Sequence, residues 1–84
     1  MNVQTEVIAY LEQQRPIPGA TLGEKLACRY LDQGIIDSMG IVTMIADFEE
    51  RFGIRFDADH MQSDAFASVG GLIGIIEGLR TPAS

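Results

Sequence analysis

Apolar residues recur at helical intervals over most of this chain, in four segments. Val3, Val7, Ile8 and Leu11 predict a first helix over about residues 2–14. It stops before Pro16, whose ring disfavours helical backbone at Arg15. From Arg15 to Ile36 the rhythm lapses into a long connection opened by Pro16, Pro18 and Gly19. A structureless loop of that length is unusual in a compact domain, so a short helical turn is expected between residues 21 and 30, with Leu22, Leu26 and Leu31 pinning it to the core. A second helix over about 38–52 carries Ile41, Ile45, Phe48 and Phe52 on its buried stripe and ends at Gly53, a residue suited to the left-handed turn after a helix. Asp57, Ala58 and Asp59 offer cap residues for a short third helix over about 59–63. A fourth helix over about 68–80, capped by Ser68, carries Val69, Leu72, Ile73, Ile76 and Leu79 and ends near Pro82.

Two features do not fit a plain amphipathic bundle. Gly70, Gly74 and Gly78 repeat every fourth residue in the last helix, each costing up to about 1 kcal/mol relative to alanine. Close approach of a neighbouring helix along that side is the expected compensation, while the pattern supplies no reason for Gly71. The other feature is on the second helix, where Met39, Val42 and Ala46 lie beside the buried stripe with Asp47, Glu49 and Glu50 nearby. Such a strip either widens the core face or forms an apolar docking surface rimmed by acids.

With 84 residues, the chain makes one domain that buries only about 60 to 65% of the surface its unfolded form exposes. A catalytic cleft is hard to fit into that volume. The net charge of −6 is unevenly placed: residues 1–31 hold three acids and three bases, residues 65–84 one of each, and residues 32–64 eight acids against Arg51 and Arg55. An acidic middle repels nucleic acid and speeds encounter with basic protein surfaces. A single cysteine, Cys28, excludes an internal disulfide and suggests a reducing compartment, with the cytoplasm as the expected location. No basic start followed by an apolar run appears, and no apolar stretch reaches the roughly 20 residues of a membrane span, so no membrane insertion is expected. With His60 as the one histidine, neither a zinc site nor a Cys–His pair is indicated. His60 reads as a surface residue of the short helix, and Cys28 as a small apolar filler. The acids lack calcium-loop spacing, and Gly70-Gly71 lacks the Lys-Ser or Lys-Thr of a phosphate loop.

Ser38 is the residue that carries candidate chemistry. It stands at the start of the second helix, where unpartnered N–H groups and the helix dipole favour a negatively charged substituent such as a phosphodiester. Capping alone would also explain a serine there, but Asp37 can serve as the cap, and Ile41 stands where a capping box needs Glu or Gln.

The run Tyr30-Leu31-Asp32-Gln33-Gly34-Ile35-Ile36-Asp37-Ser38-Met39-Gly40, with the amphipathic helix behind it, resembles the acyl carrier proteins. Asp37-Ser38-Met39-Gly40, the Phe52-Gly53-Ile54 turn and Met61-Gln62-Ser63-Asp64-Ala65-Phe66-Ala67-Ser68 look most like D-alanyl and stand-alone peptidyl carriers. The resemblance covers residues 30–80 well and residues 1–29 only as a helix plus loop. It departs at Gly40 and Thr43, where many fatty acid carriers have acids, and at Asp57, where carriers often have proline.

The resemblance implies an all-α, four-helix acyl-carrier-like bundle with a short third helix and a long loop between helices one and two. It further implies a covalent 4'-phosphopantetheine, taken from coenzyme A, on Ser38, with Asp37 flanking it. A phosphopantetheinyl transferase using magnesium would attach the arm, and an acyl or aminoacyl ligase would load it with a thioester. A downstream acyltransferase or synthase would then receive the cargo from a monomeric, non-catalytic carrier. Docking would use Met39, Val42, Glu49 and Glu50, beside Ala46 and Asp47. The glycines of the last helix would alternatively leave room for an acyl chain inside the bundle. Whether the cargo is fatty acyl, D-alanyl or another aminoacyl group stays open. The alternative is an unmodified, carrier-like helical interaction module, and a small hydrolase using Ser38 lacks a general base in the sequence.

Overall fold

The computed structural model describes residues 2–80, and its secondary structure is entirely helical. Helix α1 spans Val3–Gln14; the Asn2 side chain accepts the Thr5 N–H at 3.1 Å, and Val3, Val7 and Leu11 are buried. Arg15 is extended, as a residue before proline must be, and Ile17 returns to the core.

The helical turn expected in the long connection is α2, Leu22–Ala27, so the described residues contain five α-helices. Thr21 and Glu24 form its capping box, with the Glu24 N–H donating to Thr21 Oγ1 at 3.2 Å and the Thr21 N–H to Glu24 Oε2 at 3.1 Å. None of its residues is fully buried, and Leu22, expected to pin it to the core, is 48% exposed. A six-residue helix cannot bury a stripe, and its anchoring comes from the chain just beyond it. The Val69 N–H donates to the Cys28 carbonyl at 2.9 Å, and the fully buried Tyr30 donates its hydroxyl to the Phe66 carbonyl.

Helix α3, Ser38–Phe52, has the predicted bounds. Its face is turned from the expected one: Met44, Phe48 and Phe52 are the buried residues, while Ile41 and Ile45 are only partly covered. Aromatic packing accounts for the turn. Phe48 receives the Tyr10 ring of α1 at 5.1 Å and lies 5.6 Å from Phe52, which places Met44, one turn ahead of Phe48, over the core. Gly53 takes the left-handed conformation with φ 65° and closes the helix, its N–H donating to the Glu49 carbonyl. The chain then buries Ile54 and Phe56.

Helix α4, Ala58–Gln62, is the short third helix of the sequence reading, capped by Asp57 and His60. A 3-10 helix, Asp64–Ala67, follows it and buries Phe66; the apolar pattern had not predicted it. Helix α5, Val69–Arg80, begins where Ser68 caps it, with the Gly71 N–H donating to Ser68 Oγ at 3.0 Å, and buries Val69, Leu72, Ile73 and Ile76. The expected stop at Pro82 lies outside the described residues.

Helix α5 is the centre of the fold and packs against α1, α2 and the 3-10 helix. Its glycines do not act as one series. A Cβ on Gly71 would lie 2.0 Å from the Ala65 carbonyl oxygen, and one on Gly70 would lie 3.0 Å from that of Leu26. Gly74 and Gly78 have nothing within 4 Å of an added Cβ and are exposed. Close approach therefore explains Gly70 and Gly71, while the outward position of Gly74 and Gly78 removes them as the lining of an interior acyl channel. Two ion pairs tie the periphery: Glu12 with Lys25 at 2.8 Å joins α1 to α2, and Glu6 with Arg51 at 2.9 Å joins α1 to α3.

The Tyr30 anchor makes stability depend on alkaline pH. Burial pushes the Tyr30 hydroxyl pKa up, so the folded state prefers the protonated phenol. Its contribution is complete below the ordinary value near 10 and is lost as pH rises above it, because the unfolded chain ionises first. Urea melts should show stability falling above pH about 10. Tyr30→Phe should remove that component while costing about 1 kcal/mol at neutral pH, through the unpaired Phe66 carbonyl.

Candidate functional site

The segment leading into α3 is held tightly up to the residue before the serine. Residues 29–35 form a turn in which the Gln33 N–H donates to the Arg29 carbonyl at 2.9 Å and the Ile35 N–H to the Tyr30 carbonyl at 3.1 Å. Gly34 supplies the left-handed backbone that this reversal needs, with φ 69°. Ile35 and Ile36 are then buried, so the chain leaves the core at Asp37.

Asp37 is the cap of α3, its Oδ1 accepting the Gly40 N–H at 2.7 Å. Ser38 is the first residue of the helix and is exposed, and its hydroxyl makes no hydrogen bond to any described residue. Because the carboxylate next door does the capping, the serine oxygen is left uncommitted at the positive end of a 15-residue helix. Asp37→Ala should therefore lower stability by about 1 kcal/mol in urea melts. The same change at Ser38 should alter it by less than about 0.5 kcal/mol, the range of surface substitutions away from such features.

The expected docking residues divide into two groups. Met39 is 76% and Val42 66% exposed, so neither widens the core face. Ala46 and Glu50 are also exposed, and with Thr43 they share the outer side of α3. Glu50 pairs with no described residue. Asp47 and Glu49 sit on the two margins and have internal tasks. Glu49 Oε2 accepts the Phe56 N–H at 2.9 Å, fastening the turn after α3. Asp47 Oδ2 is out of solvent and 3.2 Å from Arg51 Nη2, a contact of opposite charges without an aligned hydrogen bond. It faces Tyr10, whose hydroxyl pKa is raised by burial and then by the Asp47 charge. The Asp47–Arg51 pair has the four-residue spacing of one helix face, whereas the Glu49 bond crosses the turn after α3 and has no periodic signature.

The acidic middle of the chain is accordingly less uniform than its count. Asp32 is engaged by Arg29 at 2.6 Å, Asp47 by Arg51, and Asp57 by the α4 cap. Glu50 and Asp59 remain exposed without a described partner. Two further large apolar side chains are exposed, Leu22, which was expected in the core, and Met61. Both belong to helices too short to show a periodic face.

Among the described residues, no group of three or more His, Cys, Asp and Glu is placed to hold a metal ion. His60 Nδ1 accepts the Asp57 N–H at 3.3 Å, which uses the ring as part of a helix cap. Cys28 is buried, and burial pushes its thiol pKa up, away from the reactive thiolate. Among the described residues, no helix is long and apolar enough to cross a membrane. No protein-family model and no curated protein matches this chain.

Proposed function

We propose that this chain is a carrier protein in which Ser38 holds a 4'-phosphopantetheine arm through a phosphodiester and presents an acyl or aminoacyl group to partner enzymes. One observation carries the reading: Ser38 is exposed at the first residue of α3, its hydroxyl without a hydrogen bond to any described residue, while Asp37 performs the cap. A phosphodiester can form on that oxygen without removing a hydrogen bond on which the helix depends. The residues fit the group electrostatically as well. The Ser38 and Met39 N–H groups have no intrahelical acceptor, and the helix dipole favours the added negative charge.

When bound, the arm supplies a terminal thiol that carries the cargo. Everything else asked of the chain is positioning. Ile35 and Ile36 root the segment before the serine in the core, and Asp37 fixes the start of the helix, so the attachment point is held from both sides. Tethering replaces free diffusion with a high effective concentration beside whichever enzyme docks. Partner exchange requires a small and weak contact. Met39, Val42 and Ala46 with Glu50 offer one, and this strip suits a partner with an apolar contact rimmed by basic residues. We assign docking to these four and leave Asp47 to its ion pair with Arg51 and Glu49 to its bond with the Phe56 N–H.

Incubation with coenzyme A and a broad-specificity phosphopantetheinyl transferase tests the proposal. The intact mass should rise by one phosphopantetheine. An unchanged mass would leave an unmodified helical interaction module as the reading of the exposed α3 strip.

A further inference from the structure

The Ser38 hydroxyl has no hydrogen bond to hold it, so its direction is inherited from the backbone and the residues on either side. On the near side stands Ile36, 6% exposed. On the far side stands Gly40, and the two meet. A Cβ on Gly40 would lie 2.6 Å from Ile36 Cγ1 and 3.2 Å from both Ile36 Cδ1 and Asp37 Oδ1. The isoleucine side chain thus lies across the bare Cα of Gly40, while the Gly40 N–H donates to Asp37 Oδ1 at 2.7 Å. One apolar and one polar contact close a loop from residue 36 to residue 40, and the serine stands on that loop.

We propose that Ile36 and Gly40 are positioning residues that aim the Ser38 hydroxyl for arm transfer, an inference that rests on the carrier reading above. Intrinsic helix preference alone would favour alanine at position 40, so glycine there reflects the contact with Ile36. An alanine Cβ would force Ile36 Cγ1 to retreat by close to an ångström to regain ordinary contact. The branched side chain is stiff at χ1 and its surroundings are filled, so backbone must move instead of a flexible tip. That backbone is two residues from Ser38. The helix itself can survive the change, whereas the direction of the hydroxyl cannot.

Arm transfer to Gly40→Ala, Ile36→Ala and the double variant, measured as kcat and KM of a broad-specificity transferase, tests the assignment. Gly40→Ala should lower kcat about 10- to 100-fold, the loss expected for a reacting atom displaced by about 1 Å. KM for the carrier should stay within about twofold, because the outer strip of α3 is untouched. Ile36→Ala should also slow transfer, and the double variant should lose less than the product of the two single losses, since the new methyl group fills part of the vacated space. Gly74→Ala, with nothing near its added Cβ, should transfer at the wild-type rate. Wild-type kcat in either single variant, or a double variant as slow as the product, overturns the positioning role. Should Gly40→Ala lose its helical circular dichroism, Ile36→Ala alone decides, and wild-type kcat there has the same meaning. A wild-type chain that accepts no arm defeats the carrier reading itself, and a chain that accepts it equally well in every variant defeats only this inference.

Discussion

Ser38→Ala is expected to accept no phosphopantetheine under conditions in which the wild-type chain is fully modified, while melting at nearly the same temperature. The loss is complete because the substitution removes the oxygen that would bond to phosphorus. The stability is unchanged because that oxygen holds nothing else. No other described serine can substitute for it. Ser63 Oγ accepts the Ala65 N–H at 3.1 Å, and Ser68 Oγ accepts the Gly71 N–H at 3.0 Å from a half-buried position at the start of α5. Both are engaged in starting helices, and modification at either would remove a cap worth about 1 kcal/mol. Thr21 caps α2, and the Thr43 hydroxyl turns back to the Met39 carbonyl at 3.4 Å. Intact mass spectrometry of the two proteins side by side, with thermal melts of both, reads the prediction. Modification of Ser38→Ala would move the attachment point elsewhere. A large fall in its melting temperature would mean that the serine, not Asp37, begins the helix.

The long elements were legible because a helix of three or four turns must repeat its apolar residues to bury one side. The bounds of α1, α3 and α5 follow from that repeat together with Asp37, Gly53 and Ser68 at their ends. Short elements carry no such repeat. Leu22 and Leu26 are one turn apart and look equally apolar in sequence, yet Leu22 is exposed and Leu26 is partly buried. The 3-10 helix and the Tyr30 anchor are held by residues 36 positions apart in the chain, and no local pattern encodes such a bond. On α3, the apolar stripe was readable to within one position, but Met44 rather than Ile41 or Ile45 is fully covered because Tyr10 of α1 approaches Phe48. At the candidate site, the freedom of Ser38 was readable from the cap beside it. The tasks of Glu49, Ile36 and Gly40 were not, since each depends on which atom lies across a contact, whereas Asp47 and Arg51 have the four-residue spacing of one helix face.

Gly71→Ala is expected to lower stability by roughly 3 kcal/mol or more, at the upper end of what overpacking costs, while the same change at Gly74 or Gly78 raises it by up to about 1 kcal/mol. Helix preference favours alanine equally at all three positions, so the opposite signs isolate packing. At Gly71 the added Cβ would fall 2.0 Å from the Ala65 carbonyl oxygen and 2.6 Å from its carbon, and both are main-chain atoms that cannot rotate away. Relief requires the 3-10 helix to move off α5. That helix carries Phe66, which is 4% exposed and whose carbonyl accepts the Tyr30 hydroxyl, so the displacement would propagate into the anchor of the segment before Ser38. For an 84-residue domain of ordinary marginal stability, about 5 to 15 kcal/mol, such a loss is a large share of the total. Around Gly74 and Gly78 nothing lies within 4 Å, and alanine there only narrows the freedom of the unfolded chain and improves the helix. Urea denaturation of the three variants separates the cases. A neutral Gly71→Ala would show that the 3-10 helix does not rest on α5, and the route by which the core holds Tyr30 and the approach to Ser38 would have to be drawn again.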